Sequence, residues 1–112
     1  MSDSPCIPLI HLSSSVISKE IQEDRRMRIL HILISSPGRL TNEDVLKKIL
    51  RTVGHAISSD LLRTDIMWVA EQGLLEAWNE HGLYIVKLTQ RGEDVGRGFA
   101  NVHGVARVSC ES

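Results

Sequence analysis

The stretch Val69-Ala70-Glu71-Gln72-Gly73-Leu74-Leu75 is where the chain changes its period. Upstream, Leu62, Ile66 and Val69 recur at the three- and four-residue spacing that lines one face of an α-helix. Downstream, Leu74-Leu75-Glu76-Ala77-Trp78 and Leu83-Tyr84-Ile85-Val86-Lys87-Leu88 read as strands. Gly73 sits at the junction, where a residue free to take positive φ ends a helix sharply. Asn79-Glu80-His81-Gly82 between the two runs is a turn, so the strands form a hairpin.

Working outward, the spacing predicts a first helix over 18–35, with Ser18 as N-cap and Glu20 suited to the helix dipole. Met27, Leu30 and Ile34, flanked by Ile29 and Leu33, give it a broad apolar face, and Ser36-Pro37-Gly38 stops it. Thr41 is expected to cap a second helix with Val45, Leu46, Ile49, Leu50 and Val53 as its buried stripe, ending at Gly54. Ser58 or Ser59 caps the third helix, which runs to about Gln72 with help from Leu61 and Trp68 inside. Thr89 begins a short helix to about Val95, weakened by Gly92. These elements make an α+β domain over 18–98, between an extended, partly apolar arm (1–17) and an irregular tail (99–112). There is no internal repeat.

Composition narrows the class. With 112 residues the chain is one domain long. It is 42% hydrophobic and 24% charged, the balance of a globular protein. Its formal charge is −1, so no global positive field draws it to nucleic acid or to an anionic membrane. The longest apolar run, Ile29 to Ile34, is far short of the roughly 20 residues that span a bilayer. No signal peptide is read at the N-terminus, so a cytoplasmic location is expected, with Cys6 and Cys110 as free thiols in preference to a disulfide.

Three helices followed by a hairpin is the order of a winged helix-turn-helix. The segment from Val69 to Leu75 resembles the junction between third helix and wing in many bacterial regulators. Leu88-Thr89-Gln90-Arg91-Gly92 resembles the motif that closes the wing. Over residues 21–108 the chain is similar to the small ArsR-like winged-helix proteins of Mu-like phages and prophages. The similarity is carried by Arg28-Ile29-Leu30-His31-Ile32-Leu33, the run Ser59 to Leu74, and Leu88 to Gly98. The ending Val102-His103-Gly104-Val105-Ala106-Arg107 departs from that group, with Ala106 in place of its basic residue and no Pro after it. The resemblance implies a DNA-binding fold more firmly than a function.

Two functional readings follow. In the first, the chain is a phage or prophage transcription regulator that binds double-stranded DNA as a homodimer, paired through its arm or first helix. The third helix enters the major groove with Ser58, Ser59, Arg63 and Thr64, while Arg39, Lys47, Lys48 and Arg51 hold phosphates. Asp60 and Asp65 on the same helix, and a wing tip without Lys or Arg, count against it. In the second, the fold is a protein–protein adaptor with a phage or host partner. Charge decides: cations converged on one face favour DNA, and cations paired with Glu43, Asp44 or Asp60 favour the adaptor.

Other classes find no support. Arg25-Arg26-Met27-Arg28 with Glu20, Glu23 and Asp24 reads as a solvated, internally paired face. His31 reads as a satisfied, half-buried histidine, and Trp68 and Trp78 as core anchors. No CxxC or HxxxH spacing suggests a metal, and no GxSxG, P-loop or HExxH suggests an enzyme, so neither cofactor nor catalysis is expected.

Overall fold

The computed structural model describes residues 14–107. The expectations for the arm before Ser14 and for Cys6 and Cys110 lie outside the described residues. Helix α1 spans Ser14–Ser35. Ser18 is therefore inside the helix and not its cap, because Ile17 and Ile21 carry the helical register back past it. A 3-10 turn, Pro37–Arg39, has Gly38 at φ 69°. It leads into a short strand β1, Leu40–Asn42, that pairs antiparallel with the hairpin.

This strand moves the next cap. Thr41 lies opposite Val86 in the sheet, so Asn42 caps helix α2 (Glu43–Thr52), its side chain accepting from the Val45 N–H at 3.0 Å. Ser58 caps helix α3 (Ser59–Glu71) by accepting from the Leu61 N–H. Gly73, at φ 79°, ends the helix and releases the chain into β2 (Leu75–Glu80). His81 and Gly82 both have positive φ, the geometry of a two-residue hairpin turn, and β3 (Leu83–Leu88) returns. Thr89 caps helix α4 (Gln90–Gly96), accepting from the Gly92 N–H. The result is an α+β arrangement of four α-helices and a three-stranded antiparallel sheet, in the order β1-β3-β2, among the described residues. It is compatible with a winged helix.

The core draws Ile29, Leu30 and Leu33 from α1, Leu46 and Leu50 from α2, and Leu62, Ile66 and Val69 from α3, closed by Leu74 and Val86. The α2 stripe is split. Leu46 and Leu50 are buried, while Val45 and Val53 are over a third exposed. Leu61 is also exposed. Trp68 packs on the core, but Trp78 points to the outer face of the sheet, where its Nε1 donates to Glu80. Gly92 is a packing requirement and not a weakness: a Cβ there would lie 1.9 Å from the Leu74 carbonyl oxygen. The segment after α4 returns to α1, where Val105 is buried and the Ala106 N–H donates to the Glu23 carbonyl.

The largest departure from expectation concerns charge. Arg28 pairs with Asp24 on the surface as expected, but Arg25 and Arg26 are buried. They turn toward Asp65, which has no exposed surface. Arg25 Nε donates to Asp65 Oδ2, and Arg26 Nε lies 3.7 Å from Oδ1. Arg26 also donates to the Gly104 carbonyl at 2.9 Å and stacks 3.8 Å from the Trp68 ring centroid. A solvated face was the wrong reading because Arg26, Leu30 and Leu33 share one side of α1, and that side is inside.

Removing one member of a buried ion cluster strands the rest, at a cost of about 3–5 kcal/mol. Asp65→Asn should therefore lower the stability read from urea unfolding by that much, and an unchanged midpoint would contradict the assignment. Gly92→Ala should exceed the ~1–3 kcal/mol of ordinary core overpacking, because the obstruction is backbone. A calorimetric scan of Gly92→Ala beside wild type checks this.

Candidate functional site

The face expected to act is built by α2 and α3. Their residues meet in two rungs one helical turn apart. In the first, Arg63 donates from Nε to Glu43 Oε1 at 2.6 Å and from Nη2 to Oε2 at 2.7 Å. In the second, Lys47 Nζ donates to Ser59 Oγ at 3.0 Å. Glu43 to Lys47 and Ser59 to Arg63 are both i,i+4 steps, so helix geometry sets the spacing of the rungs once the two helices are packed together.

Glu43 is buried, and it anchors more than Arg63. Its Oε2 also accepts from the Tyr84 N–H at 3.3 Å. The Arg63 guanidinium lies 5.0 Å from the Tyr84 ring centroid and reaches the Gly82 carbonyl at the hairpin tip. The Arg63 hydrogen bonds, helped by the Tyr84 N–H and opposed by burial, hold the Glu43 carboxyl below its ordinary range. The same pairing raises Arg63 further, so it stays a cation. Sequence reasoning named Glu43 as one of three acids that could pair with the cations, and did not place it inside the fold. The signal lay in its position one turn before Leu46 and two before Leu50, on the inward side of α2.

The expected site residues are thus divided. Ser58 is spent on the α3 cap. Ser59 and Lys47 face each other. Thr64 donates its hydroxyl to the Asp60 carbonyl of its own helix. Lys48 and Arg51 lie beside Lys47 on α2, with no side-chain partner among the described residues. Arg39 is not with the others: it pairs with Glu93 of α4, which also holds Arg97. The outward strip of α3 is Asp60, Thr64, Met67 and Glu71, four residues at i, i+4, i+7 and i+11. Met67 is 46% exposed. Asp65, expected among the surface acids, is absent from the strip because it is buried on the opposite side.

Among the described residues no cluster of His, Cys, Asp and Glu is arranged to hold a metal ion. No helix among them is long and apolar enough to cross a membrane. His31 has its partner, the Gly96 carbonyl at 2.9 Å.

Comparison with known proteins supplies the family. The chain is 42% identical over 92 residues to a protein of Escherichia phage Mu, "Uncharacterized protein gp26". The match covers 82% of this chain and 95% of the Mu protein. The chain belongs to the family of that Mu protein. A Haemophilus influenzae protein, "Uncharacterized protein", is 39% identical over 72 residues, covering 63% of this chain and 70% of its own length. No protein-family model matches the chain. Family membership establishes the phage connection.

The Glu43 arrangement has a pH signature. A carboxyl depressed in the folded state contributes stability that is complete above its unfolded pKa and is lost as pH falls through the folded value. Wild type should therefore lose stability from around pH 4.5 downward, and Glu43→Gln should lose less over that range. Urea midpoints of both proteins against pH test this; parallel curves would remove the role given to Glu43.

Proposed function

We propose that this chain is a winged-helix module of phage origin whose α3 face docks onto another protein. The observation that carries the reading is the commitment of Arg63. It is the only cation on α3, and Glu43 holds it through both guanidinium edges. What α3 leaves outward is acidic at both ends, Asp60 and Glu71, with the flexible side chain of Met67 between them. Exposed Glu76 and Glu80 on β2 extend the negative character into the wing. Phosphates approaching this strip meet carboxylates, whereas a protein surface with an apolar pocket between basic groups complements it.

A second reading, DNA binding as a regulator, keeps one specific support. Lys47, Lys48 and Arg51 form a ridge on α2 beside the α3 N-terminus, where Ser58 and Ser59 sit and the helix dipole favours an anion. Asp44 interrupts this ridge on the same exposed side of α2.

Fluorescence anisotropy with a random labelled duplex separates the two. Proteins that bind DNA retain a non-specific, salt-sensitive affinity with Kd of about 10⁻⁴–10⁻⁶ M. The docking reading expects no such binding at low salt. Micromolar binding that falls steeply with salt, and weakens in Lys47→Ala or Arg51→Ala, would establish the DNA reading instead. In cells carrying the phage, a photo-crosslinker at Met67 should give one discrete protein adduct. Asp60→Lys combined with Glu71→Lys should abolish it.

A further inference from the structure

The surface of α1 is unusual for an outer helix. Ile17 and Ile21 are 44% and 48% exposed. At 100° per residue they fall on the same side as Asp24, Arg28, Ile32 and Ser35. Asp24 and Arg28, in the middle of this stripe, are also nearly half exposed. Toward its C-terminal end the stripe opens into a groove of about 470 Å³ between α1 and α2. The groove is walled by Ile32, Leu40, Val45, Ile49 and Val53. Leu40, Val45 and Val53 are each more than a third exposed there. The half of α2 that failed to enter the core is this wall.

The stripe therefore reads, from its N-terminal end, as two exposed apolar residues, an acid, a base, and an apolar groove. That order is complementary to its own reverse. We infer that a second copy of this chain covers the stripe, its α1 running antiparallel to the first about a two-fold axis near residue 26. In that register residue i faces residue 52 − i. Asp24 of each copy meets Arg28 of the other. Ile21 of each copy comes beside His31 and Ile32 of the other, and Ile17 reaches the mouth of the other's groove. A two-fold contact requires this reciprocity: if i touches j, then j touches i. Two charge pairs at the centre fix the register, and apolar residues at both ends supply the buried area. The stripe and its groove share no residue with the outward α3 strip, so the inference stands whichever macromolecule α3 docks.

The test uses the charge order. Asp24→Arg gives a stripe with two bases, and Arg28→Asp gives one with two acids. Each variant alone places like charges opposite each other, so each should self-associate at least about tenfold more weakly than wild type. Mixed in equal amounts, the two variants set a base of one chain opposite an acid of the other at both central contacts, and they should form a heterodimer. The pair Asp24–Arg28 within one chain cannot produce that rescue, because each variant has lost it. Analytical ultracentrifugation of the full chains, one labelled, reads the outcome. Circular dichroism confirms that each variant is folded, a needed control because Asp24 also meets His55 Nε2 at 2.7 Å. Ile21→Glu, a change at an exposed position, should also abolish dimers while leaving the thermal midpoint of the monomer in place. A wild type that sediments as a monomer at high micromolar concentration overturns the inference and leaves the groove to residues 1–13 or to a different protein. So does a mixture of the two charge variants that stays monomeric.

Discussion

A carboxylate with no exposed surface must find its compensation inside the protein, and Asp65 finds it in Arg25 and Arg26 of α1. Withdrawing ions from water costs several kcal/mol each unless geometry and further hydrogen bonds offset it. Here the compensation reaches across the fold. Arg26 lies on the Trp68 ring and donates to Gly104, which brings the segment after α4 against α1. A Cβ at Gly104 would fall 2.7 Å from Trp68, so the backbone can come this close only with glycine there. One buried acid thus ties α3 to α1, and its neighbour Arg26 holds the end of the described chain.

The second ion pair works outward from that arrangement. With α3 set on α1, its next face meets α2, and Arg63 reaches Glu43. Glu43 then takes the Tyr84 N–H, tying the α2–α3 corner to the hairpin. Charges that look available on a helical wheel are therefore structural: Asp65 toward α1, Arg63 toward α2. The helix is left with an outer strip richer in acid than in base.

Local signals were legible where they depend on neighbouring residues. Ser58 and Thr89 as caps, Gly73 as the end of α3, and the hairpin around His81 and Gly82 all rest on one or two peptide units. β1 was not legible. Three residues have no period of their own, and Leu40–Asn42 is a strand because β3 is there to pair with it. That pairing moved the α2 cap from Thr41 to Asn42. The buried charges lay between these cases. Asp65 falls in register with Leu62, Ile66 and Val69, and Arg26 with Leu30 and Leu33, so periodicity alone pointed inward. Ordinary hydration of charge pointed outward, and only the partners across the fold reverse that preference.

The sequence by itself determined the order of the four helices and the two hairpin strands, the change of period at Gly73 and the balance of charge. These follow from intervals of a few residues along the chain. Tertiary structure decided which charges are spent. Arg63 and Glu43 are 20 residues apart, and Arg25 and Asp65 are 40 apart. Whether such groups meet depends on how helices cross, which no local interval encodes. The face left for function is what remains after those long-range pairs are made.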